Sequence, residues 1–123
     1  MTSGSDDPAA YPAEALELFE QHVADFNRGV TDGDFGPMVN RFDPDGEVVF
    51  VGSPVGPLRG QDAIRAVYRD QPPYDTITVI SSQADGDTVR ATFVWDANPD
   101  KDGGTMELEA ANSRIKRLVI GLA

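Results

Sequence analysis

Residues 48–68 read VVFVGSPVGPLRGQDAIRAVY, and the order of events within them decides the fold. VVFV is β-branched and aromatic, the composition of a strand. SPVGPLRG then breaks the run with Pro54, Gly56, Pro57 and Gly60, which predicts a tight crossing with a short strand at residues 55–58. QDAIRAVYRDQ follows with Ile64, Val67 and Tyr68 on one side of a helix. Pro72 and Pro73 stop that helix.

Upstream, EALELFEQHVADFNRGV places Leu16, Phe19, Val23, Phe26 and Val30 at steps of three and four, which predicts one apolar helix face. Pro12 suits its first turn, with Glu14 and Glu17 near the positive end of the dipole. A short second helix is expected after Asp34, which is placed to cap it, with Met38, Val39 and Phe42 turned inward. DPDG at 43–46 reads as a turn.

Downstream the pattern is strand throughout. Ile77 and Val79 alternate with Thr76 and Thr78. Val89, Ala91, Phe93 and Trp95 share one face, as do Met106, Leu108 and Ala110. Glu107 and Glu109 take the opposite face, where Arg114, Lys116 and Arg117 are set to pair with them across the last hairpin. The element order is helix, helix, strand, strand, helix and four strands. It predicts an α+β domain, a cone-shaped roll with three helices packed on a curved, mostly antiparallel sheet and a pocket at the open end. The domain is expected over 12–123, after a polar lead-in over 1–11 expected to be disordered.

The 21 acidic and 10 basic residues give a net charge of −11. That field repels phosphate and argues against nucleic acid and anionic membrane surfaces. The absence of cysteine excludes disulfides, thiolate catalysis and zinc–thiolate sites. The first residues show neither the basic nor the apolar region of a signal peptide, and no apolar run approaches the roughly 18 residues of a membrane span. The expected setting is cytoplasmic.

The combination DFNRGVTDGDFGPMVNRFDPDGEVVF, SPVG and RGQDAIRAVY resembles the ketosteroid-isomerase and nuclear-transport-factor-two-like superfamily, including its SnoaL-like polyketide cyclases. The resemblance spans about residues 13–122 and is specific for fold more than for function. In the steroid isomerases an Asp base shuttles a proton beside a carbonyl, while a Tyr and a protonated Asp donate to the enolate oxygen. Carried over by motif, the Tyr position falls on Phe26 and the base position on Ser53, or on Phe50 if the strand is threaded without a gap. The second acid falls at Met106 or Glu107. The resemblance therefore implies a pocket without steroid-isomerase activity.

Other candidates come from RDQPPYD, where Tyr68, Asp70, Tyr74 and Asp75 gather at the expected open end. Some epoxide-opening relatives use an acid in this part of the chain, so Asp75 or Asp70, with Tyr68, is the candidate acid–base set. A lone Asp in an apolar pocket would have a raised pKa. His22, with Asp25 three residues on as a candidate ion-pair partner, reads as a surface helix residue, and without a second ligand it makes no metal site. Phe26, Phe50, Ser53, Tyr68, Phe93, Trp95 and Met106 are the expected binding residues, with Trp95 and Tyr68 at the rim. Three functions stay open: a pocket protein for a small hydrophobic molecule, a cofactor-free cyclase, hydrolase or isomerase using Asp75 or Asp70, and a protein-interaction module. Neither metal nor cofactor is expected. A homodimer through the outer face of the sheet is expected.

Overall fold

The first helix is longer than its apolar face suggests, and it presents a different face. The computed structural model describes residues 10–123, with side chains from Glu14 onward. Helix α1 runs Ala10–Asp32, so the last two residues of the expected lead-in open the helix and the rest lies outside the described residues. Its buried stripe is Ala15, Leu18, Phe19, His22, Asp25 and Gly29. Leu16, Val23, Phe26 and Val30, expected at the centre of that face, are only partly buried along its flank. The rotation follows from the helix lying inside the curve of the sheet, where it touches α2 as well as three strands. Gly29 packs against the Phe35 ring so tightly that a Cβ there would sit 2.5 Å from it.

Gly33, at a φ of +77°, ends α1, its N–H donating to the Gly29 carbonyl at 2.8 Å. Helix α2 is Gly36–Asn40. Asp34 acts one position ahead of its expected capping place, its carboxylate accepting from the Gly36 N–H at 2.9 Å while Phe35 holds the cap position. Met38, Val39 and Phe42 are fully buried, as their spacing predicts.

Strand β1 spans Phe42–Val51 and absorbs the expected DPDG turn as a bulge. Between Phe42 and Glu47 it advances five residues while its neighbour β6 advances two, from Ile115 to Arg117. Strand β2 is only Leu58–Arg59, at the end of the predicted crossing, antiparallel to β1. Helix α3 is Gln61–Asp70 with Ile64 and Tyr68 buried. Strands β3 (Ile77–Asp85), β4 (Thr88–Trp95), β5 (Gly104–Ala111) and β6 (Arg114–Leu122) form an antiparallel meander. Asn112 and Ser113, both at positive φ, make the tight turn between β5 and β6.

The sheet order is β2-β1-β6-β5-β4-β3, with β1 parallel to β6 and every other pair antiparallel. Glu107 pairs with Arg90 rather than across the last hairpin, whereas Glu109 meets Lys116 there, and Arg117 turns to Glu47 of β1. The side-chain amide of Asn27 both donates to and accepts from the backbone of Ile77, at 3.0 and 2.9 Å, and so clamps α1 to the first turn of β3. The core is Phe19, Met38, Val39, Phe42, Val48, Ile64, Val89, Leu108, Ile115 and Leu118. None of these reaches the end of the cone bounded by Trp95 and Pro73, and the space left there is the cavity. No helix among the described residues is long and apolar enough to cross a membrane.

Candidate functional site

The cavity encloses about 210 Å³. Every layer of the fold contributes to its wall. α1 supplies His22 and Phe26, β1 supplies Phe50, and α3 supplies Val67 and Tyr68. The following loop adds Gln71 and Pro73. The sheet adds Ile77, Phe93, Trp95, Met106, Ile120 and Leu122. These positions converge because strand residues two apart face the same side. Met106 of β5 is paired with Ile120 of β6, so the two side chains are neighbours on the inner face. Phe93 and Trp95 stand edge to face with ring centroids 5.5 Å apart. Phe35 bridges Phe26 and Tyr68 from behind, at 6.1 and 5.3 Å.

Six of the seven expected binding residues line this space: Phe26, Phe50, Tyr68, Phe93, Trp95 and Met106. Trp95 is half-buried, but Tyr68 is buried within the wall and not at the rim. Ser53 stands apart, exposed in the crossing loop, where its hydroxyl accepts from the Val55 N–H at 3.1 Å. That is the local bond of a turn residue ahead of proline.

The two candidate acids are also outside the wall. Asp70 is exposed and bonded to Arg69 at 2.9 and 3.3 Å, and that bond holds its carboxyl below the usual range. Asp75 accepts from the Ala97 N–H at 3.0 Å and ties the start of β3 to the end of β4. Beside it, Asp96 takes the Thr76 and Thr78 hydroxyls, which lowers its pKa. Tyr74 is 96% exposed. The RDQPPYD cluster therefore fastens the edge of the sheet and leaves only Gln71, Pro73 and Tyr68 to the cavity.

The group that the helical pattern hides is His22. It is 2% exposed and borders the cavity, contrary to its reading as a surface residue. Asp25, one turn on, is likewise buried and bonded to the Arg41 guanidinium, which also donates to Gln21 at 2.9 Å. Phe42 meets the imidazole edge to face at 6.0 Å. The His22 Nδ1 is buried with no hydrogen-bond partner. Burial pushes the His22 pKa down to about 4, against the attraction of Asp25 and with the repulsion of Arg41, so the ring is neutral at pH 7. Burial pushes the Tyr68 hydroxyl far above its usual range, so it too is neutral. His22 falls three and four residues after Phe19 and Leu18. That spacing is legible once the stripe is drawn through Ala15 rather than Leu16.

The wall thus has an apolar body and three polar side chains, His22, Tyr68 and Gln71, none of them a carboxylate. Among the described residues no group of three or more His, Asp or Glu side chains is arranged to hold a metal ion.

A family model described as a SnoaL-like domain matches residues 23–113. No curated protein matches the chain in sequence. Among solved structures, a SnoaL-like protein of Burkholderia thailandensis superposes with a TM-score of 0.70 at 16% identity, over 90% of this chain and 95% of that one. A de novo designed protein with a curved β-sheet gives 0.67 at 19% identity, over 90% and 86%. A protein of Mycobacterium tuberculosis, in complex with estradiol-17beta-hemisuccinate, gives 0.66 at 13% identity, over 87% and 92%.

Proposed function

The chain belongs to the SnoaL-like family, and from that membership we propose that it is a small-molecule pocket protein whose ligand is an uncharged, largely apolar metabolite. The observation that carries this reading is the cavity wall, which is aromatic and aliphatic over most of its extent and contains no carboxylate. Such a wall returns hydrophobic free energy for each apolar surface it takes from water and offers little to an ion. A dry cavity of about 150 Å³ accepts benzene, so one of about 210 Å³ suits a ring with substituents. The Mycobacterium tuberculosis protein of similar fold was solved in complex with estradiol-17beta-hemisuccinate, whose ring skeleton, though not its carboxylate, supports an apolar ring system as the ligand class. The acid–base alternative loses its support in Asp70 and Asp75, both engaged outside the wall.

Trp95 is the only tryptophan and lies in the wall, so its emission reports occupancy. Titration with small aromatic and alicyclic hydrocarbons is expected to give a saturable change in that emission. Val67→Phe, which adds a ring to the same space, is expected to weaken binding at least about tenfold by overpacking. A flat titration across the panel, or unchanged affinity in Val67→Phe, overturns the reading.

The expected homodimer is part of this proposal. The row Val51, Gly121, Thr105, Thr92 and Ser81 crosses the outer face of the sheet from strand to strand. Its mostly small side chains allow a second sheet to approach closely. Sedimentation velocity is expected to show twice the chain mass, and a monomer at micromolar concentration excludes it.

A further inference from the structure

His22 sits where the fold has no internal use for its hydrogen-bonding capacity. Its neighbour Asp25 is committed to Arg41, and Arg41 to Asp25 and Gln21. Phe42 presents the edge of a ring. The remaining wall around His22 is apolar except for Tyr68 and Gln71. A buried ring nitrogen without a partner is costly, and such atoms in native structures are usually satisfied by something. His22 lines the cavity, so a ligand there meets its ring.

We propose that His22 is the polar anchor of the cavity, and that it selects uncharged ligands carrying one hydroxyl on an apolar ring, a phenol or alcohol, over the same skeleton without it. This rests on the cavity being a ligand site. A neutral imidazole offers one donor and one acceptor. A hydroxyl can meet either, whichever nitrogen faces it, whereas a carbonyl can meet only the donor. Ions are disfavoured for a separate reason. The charges that act on His22, those of Asp25 and Arg41, are paired with each other, and the wall holds no charged side chain, so a charged ligand group would be stripped of water with no counter-ion.

The probes are p-cresol and p-xylene, which share a shape and differ by the hydroxyl. Transfer out of water favours p-xylene. In the wild-type protein p-cresol is nevertheless expected to bind at least as tightly, by calorimetry. In His22→Phe, p-cresol is expected to lose about tenfold more affinity than p-xylene loses, whatever loss the larger ring imposes on both. A second reading needs no variant. The chain has a single histidine, so its imidazole 15N resonances are unambiguous and are expected to move with p-cresol and stay with p-xylene. If both probes bind and neither the resonances nor the His22→Phe affinities distinguish them, the anchor is wrong and the pocket stands. If neither binds, the pocket reading falls and the anchor falls with it.

Discussion

A 5-ene-3-ketosteroid is expected to be isomerised by this protein about 10⁴–10⁷-fold more slowly than by a steroid isomerase, a general base contributing about 10²–10⁴-fold and an oxyanion donor about 10²–10³-fold. Phe26 and Met106 line the cavity and donate nothing, Phe50 faces inward without a base, and Ser53 is outside the wall altogether. His22, Tyr68 and Gln71 are the polar side chains of the cavity, but none of the motif-matched positions beside them supplies the paired donors that an enolate oxygen requires. The check is the ultraviolet absorbance of the conjugated enone product. Turnover near the typical enzyme value of about 10 s⁻¹ would show that the machinery had moved rather than gone, and His22→Phe would then be the first variant to assay.

Acidification is expected to cost the fold about 3 kcal/mol through His22 alone. The ring is held neutral in the folded chain, with its pKa lowered from 6.5 to about 4. Each tenfold in proton affinity is worth roughly 1.4 kcal/mol. The unfolded chain takes up the proton first, so stability is full above pH 6.5, falls as the pH drops from 6.5 toward 4, and levels below it. Phe42, Asp25, Arg41 and Tyr68 surround the ring or share its cavity, and none of them releases it. Urea unfolding at pH 7.5 and 4.5 measures the loss. His22→Phe removes this part of the slope and leaves the carboxylate part, including the Asp96 cluster, in place. Equal slopes in the two proteins would mean that His22 is protonated in the folded state.

The architecture was legible because its cues are local. The Pro-Gly crossing at 52–57, the period of two in β3–β6 and the apolar side of α3 each follow from neighbouring residues, and family resemblance joined them into a cone. Inward alternation also found Phe93, Trp95 and Met106. What escaped depends on partners distant in sequence. The inner face of α1 holds Asp25 bonded to Arg41, 16 residues on, and with that partner out of local view His22 reads as a surface residue. Asp75 looked like a pocket acid because nothing local shows that its carboxylate will be taken by the Ala97 N–H, 22 residues away. The bulge at 43–46 has the composition of a turn, and only pairing with Ile115 and Arg117 makes it part of a strand.

The parallel joint between β1 and β6 has a consequence for synthesis. Val48 waits for Leu118, and Phe50 for Ile120, so the centre of the sheet closes across some seventy residues of chain. Contacts that distant in sequence slow folding, because loop closure precedes any return from pairing. On the ribosome α1 can lie against β3, β4 and β5 as these emerge, but β1 has no partner on its inner side until residues 115–121 are out. In that interval β1 carries an unpaired inner edge beside exposed core residues, the state most open to chaperones and to mispairing with another nascent chain.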